Sequence, residues 1–336
     1  MKVYEIRDGF GLEALRSVDR PEPKPGPGEV LLRVRACSLN YRDLLVVKGV
    51  YNPRLNLPRI PCSDASAEVV ECGSGVTRVR VGQRVMGLFM PGWLDGDLTD
   101  AKSKIALGGS VDGLLAEYTV LSEQSVVPVP EHLSDEEAST LPCAAVTAWN
   151  GLLEAGRVRP GDTVLVQGTG GVSLFALQFA RLAGARVIAT SSSEEKLARV
   201  QALGASNGIN YRTTPEWGES VRHLTHGRGV DHVVEVGGAG TLAQSLRAVR
   251  TGGHLALIGV LSGYGQFNPL PILMKGVRVC GIYVGSREMF ESMCRAIHLH
   301  QVRPVIDRVF SFREAVAAFR HMESAAHFGK IVIRLD

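Results

Sequence analysis

The chain has 336 residues, 45% of them hydrophobic and 21% charged, a globular composition long enough for two domains and unlike that of a disordered or fibrous protein. Thirty-seven Lys and Arg against 34 Asp and Glu leave a net charge of +3 with no long basic run, so nucleic acid and anionic membrane surfaces are not indicated as partners. No apolar stretch approaches the roughly 20 residues of a spanning helix. The opening MKVYEIRDGFG alternates like a strand and carries acids, unlike a signal peptide, so a soluble cytoplasmic protein is expected. The six cysteines, at 37, 62, 72, 143, 280 and 294, form no CxxC and are expected to be reduced.

In chain order, residues 1 to about 128 read as short strands between turns, at 30–35, 67–72, 84–89, 116–120 and 125–129. Few helical periods interrupt them, so this part reads as an antiparallel barrel-like or sandwich-like module. The rhythm changes near Ser134, where Ser134-Asp135-Glu136-Glu137 is a capping box opening a helix. Strands at 163–167, 186–190, 208–211, 230–236, 254–258 and 277–282 follow, with helices at 172–183, 194–203, through Val221 and Leu224, and at 241–249. That alternation predicts a doubly wound parallel sheet. The last 50 residues hold two helices and a terminal strand, 330–333, expected to fold back on the first module.

Gly168-Thr169-Gly170-Gly171-Val172-Ser173 lies between a strand and a helix. Glycines there let the backbone approach a pyrophosphate, whose charge meets the positive helix N-terminus. Ser173 stands where a third glycine is usual, but the flanking strand and helix supply the context the motif needs. A protein selecting NAD places an acid at the end of the second strand. Here that end reads Thr190-Ser191-Ser192-Ser193-Glu194-Glu195-Lys196. Three hydroxyls and an ammonium suit a 2′-phosphate, so NADPH is expected; the serines also suit a helix cap.

The order of modules, the glycine fingerprint, Leu141 to Trp149 (LPCAAVTAW), Ile258 to Gly263 and the ending His327-Phe328-Gly329-Lys330 together resemble the medium-chain dehydrogenase/reductase superfamily. The resemblance is to its zinc-free quinone oxidoreductase-like (zeta-crystallin-like) branch and covers nearly the whole chain. It implies an α/β protein: a Rossmann doubly wound parallel sheet over 129–286 and a GroES-like antiparallel β-barrel catalytic domain over 1–128 and 287–336. The zinc branch needs Cys, His and Cys, whereas the matching positions here hold Asn40, Ser63 and Cys143. An amide and a hydroxyl are poor substitutes for a thiolate and an imidazole. The four cysteines of a structural zinc lobe are also missing from residues 91–112, so no metal is expected.

Without a Lewis acid a simple alcohol is hard to oxidise, whereas hydride transfer to a quinone, enone or enal is easier. The resemblance puts Asn40 and Tyr41 at the substrate carbonyl, with Asp43, Ser63 and Trp93 in the same site; Tyr41 also suits packing against the cofactor cleft. It puts Thr147 near the nicotinamide and Lys196 and Tyr211 at the 2′-phosphate. A C-terminal arginine that would help them is replaced by Ala325, and Lys330, beside Phe328, is the available cation. Val236-Gly237 and Gly259-Val260 end two strands at the cofactor crevice. The strand at 277–284 reads as an apolar sheet edge, which invites a homodimer. Two other functions fit the same pattern: an alcohol dehydrogenase or ketoreductase, and a cofactor-binding protein with little catalysis.

Overall fold

The computed structural model describes residues 1–263 and 265–335. The chain divides into two compact units, Met1–Val146 with Gly285–Asp336, and Thr147–Val284.

The first unit is built on a seven-stranded sheet. Its strands run in the order Ile306–Ser311, Lys330–Arg334, Glu29–Ser38, Asp64–Cys72, Arg84–Gly87, Val126–Pro128, and Tyr118–Ser122 also pairs with Glu29–Ser38. All pairs are antiparallel except Ile306–Ser311 with Lys330–Arg334, which are parallel. Within residues 1–128 the pairs of this sheet are antiparallel, as expected; the parallel pair is formed by the two C-terminal strands. The C-terminal strand does fold back, with Val332 opposite Ser38 and Arg334 opposite Ala36. A core of Val, Leu, Ile and Phe from these strands and from helix Ala315–Glu323 fills the unit.

The boundary expected after residue 128 lies instead between Val146 and Thr147. Residues 129–146 stay with the first unit because polar ties hold them there. Asp135 accepts from Ser66 Oγ and Arg84 Nε, both at 2.9 Å, and Arg84 also donates to the Leu133 carbonyl at 2.8 Å. The capping-box helix is short, Asp135–Ser139, and is followed by wider π-type turns at Leu141–Ala145 and Asn150–Glu154.

The second unit is a six-stranded parallel sheet, ordered Asn207–Asn210, Arg186–Ser191, Thr163–Gln167, Val230–Glu235, Val249–Leu257, Arg278–Gly281. In chain order that is 3-2-1-4-5-6, the doubly wound arrangement whose direction reverses between Thr163–Gln167 and Val230–Glu235. Both of those strands are buried along their whole length, as a sheet covered on both faces requires.

Candidate active site

In the second unit, strand Thr163–Gln167 turns at Gly168, whose φ of 69° favours glycine. Helix Gly171–Leu182 follows, with Gly170 as N-cap and no side chain capping it. A Cβ at Gly168 or Gly170 would meet nothing within 4 Å. Neither φ nor protein packing demands a glycine at 170. The space over Gly170 is open, and the first N–H groups of a helix are left without intrahelical partners. A dinucleotide pyrophosphate fits this cradle. Thr169 is buried inside the turn, and Gly171 and Val172 open the helix. Ser173 is buried and donates from Oγ to the Gln167 carbonyl at 2.6 Å. It thereby ties the helix to its strand where a third glycine would merely allow close packing.

At the neighbouring strand end, Ser191 Oγ accepts from Ser193 N at 3.4 Å, and Ser193 Oγ caps helix Glu194–Ala202 by accepting from Lys196 N at 3.3 Å. Each hydroxyl keeps its O–H to donate, and Ser192 lies half-buried between them. Register places Asn210 opposite Ser191, and Tyr211 N donates to the Ser191 carbonyl at 3.0 Å. Thus Ser191, Ser192, Ser193, Lys196 and the exposed Tyr211 gather at one end of the sheet. Sequence reasoning passed over Glu194, whose carboxylate accepts from Asn210 Nδ2 at 2.6 Å at the same rim.

Beyond the crossing point, Gly237 N donates to Glu235, and the Gly237 carbonyl accepts from Ser262 N and Oγ at 2.8 and 2.6 Å. A Cβ on Gly237 would stand 2.3 Å from Thr241 Oγ1, and one on Gly259 2.3 Å from the Val236 carbonyl. These two glycines are therefore required by the packing of their own loops. Val236, Gly237 and Gly259 shape the strand ends expected at the cofactor crevice, and Val260 is exposed there. Thr147, the first residue of this unit, is buried.

In the first unit three of the catalytic candidates, Asn40, Asp43 and Ser63, belong to a buried polar cluster with Asp64 and Lys330. Helix Tyr41–Val47 begins at Asn40, which with Asp43 makes a capping box; Asn40 N donates to Asp43 Oδ2 at 2.9 Å. Lys330, 3% exposed, donates from Nζ to Asn40 Oδ1 at 2.6 Å and to the Leu39 carbonyl at 2.7 Å. Pairing of Val332 with Ser38 carries Lys330 to this point. Its expected place at the 2′-phosphate is thereby corrected: the ammonium is committed to the Asn40 amide. Phe328, also expected at the cofactor, is buried in this unit with its N–H donated to Asp307 at 2.9 Å.

The buried Asp64 accepts from Ser63 Oγ at 2.6 Å and from Cys143 N at 3.0 Å, the latter within the π-type turn. Burial raises the Asp64 pKa above the usual carboxylate value, opposed by Lys330, the Ser63 hydroxyl, the Asn40 amide and the Cys143 N–H. Burial likewise lifts Asp43 to about 6; Arg42, Asn40 N–H and Lys330 oppose this, and Asp64 adds to it. Burial and then Asp64 push the Cys143 thiol well up, so it is not activated as a nucleophile. Tyr41 is 42% exposed, so the two adjacent candidates sit in opposite environments. Trp93 is buried, and its indole N–H is donated to the Gly96 carbonyl at 2.8 Å. Its donor is therefore used within its own loop, which leaves the ring's apolar faces as what it could offer a substrate.

Among the described residues no three His, Cys, Asp or Glu side chains gather as metal ligands. Asn40, Ser63 and Cys143 supply an amide, a hydroxyl and one protonated thiol, and this set does not fit zinc.

A nicotinamide-dependent oxidoreductase is the class that this fold and glycine cradle define. Residues 26–131 match the alcohol dehydrogenase GroES-like domain, and residues 171–298 match the zinc-binding dehydrogenase family. A zinc-type alcohol dehydrogenase-like protein of Schizosaccharomyces pombe is 43% identical over 342 residues, 99% of each chain. The solved structure of an NAD-dependent alcohol dehydrogenase, 36% identical, matches with a TM-score of 0.92 over 100% of both chains. That of a 2-octenoyl-CoA carboxylase reductase in complex with NADP and 2-octenoyl-CoA, 27% identical, matches with a TM-score of 0.88 over 99% of this chain and 87% of the other. The chain belongs to the medium-chain dehydrogenase/reductase superfamily. No helix among the described residues is long and apolar enough to cross a membrane.

Proposed function

We propose that the protein is an NADPH-dependent, zinc-independent reductase of conjugated carbonyl compounds: enones, enals or quinones. The buried Lys330–Asn40–Asp64 cluster supports this reading, because it gathers hydrogen-bond donors and one cation around Asn40, where the resemblance puts a zinc ligand. Reduced nicotinamide, when bound, supplies a hydride. The acceptor then becomes an enolate or a hydroquinone anion, and its oxygen needs donors that hold negative charge. Lys330 fixes the Asn40 carbonyl oxygen, so the Asn40 amide nitrogen is the end left to donate. The exposed Tyr41 hydroxyl is a second donor.

Ser191, Ser192, Ser193, Lys196 and Tyr211 support NADPH over NADH, and the relative bound to NADP and an enoyl thioester supports both cofactor and substrate class. The NAD-dependent alcohol dehydrogenase relative and the Glu194 carboxylate favour a second reading, NAD-linked alcohol oxidation. That chemistry lacks a Lewis acid among the residues present. Edge strand Arg278–Gly281 and the exposed apolar run containing Leu270, Leu273 and Met274 support a homodimer formed through this unit. A cytoplasmic setting accords with the reduced thiols. Steady-state rates with NADPH and NADH against quinones, enones, enals and alcohols test the proposal. Turnover confined to saturated alcohols would refute it.

A further inference from the structure

Glu235 ends a wholly buried strand and is itself fully buried. Its Oε1 accepts from Gly237 N at 2.8 Å, Gly238 N at 3.0 Å and Thr241 Oγ1 at 2.5 Å. Its Oε2 accepts from Gln167 Nε2 at 2.8 Å and from Ser245 Oγ. Five donors converge on one carboxylate, an arrangement suited to an acceptor-only group. No arginine or lysine pairs with it among the described residues.

The partners are distributed in an informative way. Gln167 ends the strand before the glycine cradle; its Oε1 accepts from Val236 N at 3.3 Å, and its carbonyl accepts from Ser173 at the start of the cradle's helix. Gly237, held from below by Glu235, is held from above by Ser262, whose Oγ also accepts from Gly240 N at 2.8 Å. The carboxylate therefore links three βα connections at the C-terminal ends of the parallel strands: the cradle, residues 236–241 and residues 259–263. Packing alone would call for an apolar residue at this position, as at its neighbours Val233 and Val234. A buried acid costs desolvation that only a full set of donors offsets.

We infer that Glu235 is the positioning residue of the dinucleotide rim, setting cofactor affinity by holding these three connections in register without touching the cofactor. The inference rests on the reading of this rim as the dinucleotide site. Its failure and the failure of that reading are separable, because the latter appears in the parental protein as an absence of NADPH and NADH binding.

The test is fluorescence titration of the full chain with NADPH and with NADH, alongside thermal unfolding. In Glu235→Gln the new amide nitrogen faces the donors Gln167 and Ser245. The dissociation constant should rise about tenfold for both dinucleotides, the loss of roughly one charge-assisted hydrogen bond. The exchange Glu235→Gln with Gln167→Glu returns a carboxylate to the same pair and should recover most of that affinity. Rescue distinguishes positioning from a general loss of packing. Unchanged affinity in Glu235→Gln would overturn the inference. So would weakened binding that tracks the fall in Tm and that the exchange does not rescue. If Glu235→Gln does not fold, Ser262→Ala, which removes only the upper tie on Gly237, should weaken both dinucleotides several-fold; no change there would overturn the inference equally.

Discussion

Replacing Lys330 by Met keeps the length and apolar stem of the side chain and removes its charge. The ammonium donates at 2.6 Å to Asn40 Oδ1 and at 2.7 Å to the Leu39 carbonyl; it is the first group to oppose the raised pKa of Asp64 and, after Arg42, helps oppose that of Asp43. Removing one partner of a buried charged group typically costs about 3–5 kcal/mol, because the groups left behind are desolvated and unpaired. For domains of 150–250 residues about 2–4 °C accompanies each kcal/mol, so Tm should fall by roughly 6–20 °C. A second effect is separate from stability. Without Lys330 the Asn40 amide is no longer held by its oxygen, so kcat on a conjugated acceptor should fall by about tenfold or more at a temperature where the variant is folded. Thermal unfolding by circular dichroism and initial rates at saturating NADPH give the two numbers. A Tm within about 1 °C of the parent together with an unchanged kcat would refute the assignment of Lys330 to this cluster.

Lys196→Ala should weaken NADPH binding about tenfold to a hundredfold and NADH binding much less; equal losses would make the lysine a helix residue without a phosphate role. Gly170→Val should cut dinucleotide affinity with little change in Tm, since its Cβ has no protein atom within 4 Å; retained affinity would mean that nothing lies on the loop. His254 is buried in the second unit, and its pKa is lowered to about 4, first by burial and then by His232 and Arg278. The unfolded chain therefore takes up its proton first as pH falls. The stability held above about pH 6.5 should be lost between 6.5 and 4, by about 2–3 kcal/mol. Urea titrations across that range should give a flatter profile for His254→Phe than for the parent.

The doubly wound unit was legible because each apolar strand ends in glycine or hydroxyl residues and each helix that follows is periodic. The parallel sheet and the Gly168–Val172 cradle follow from that alternation, whereas the strand order is not written in it. The seven-residue helix after Asn40 was hidden in a run of strands, although Asn40 with Asp43 carries the spacing of a capping box. Lys330 was misplaced because its partner Asn40 lies 290 residues away, and only the pairing of the last strand with Glu29–Ser38 brings them together. The Glu235 network had a local signal: an acid set between Val234 and Val236 at the end of a strand. The domain boundary was set too early because Pro128 and Ser134 look like a break, whereas Arg84 and Ser66 reach across to Asp135.

The central claim is that donors and a buried cation, and not a metal, serve hydride transfer to a conjugated carbonyl. Its most direct test is the initial rate of NADPH oxidation by chelator-treated protein over a panel of enones, enals and quinones, set beside NADP⁺ reduction with saturated alcohols. The expected result is undiminished turnover of at least one conjugated acceptor, and a rate with that acceptor about a hundredfold lower in Asn40→Ala. Activity only with alcohols, abolished by the chelator and restored by added zinc, would contradict it.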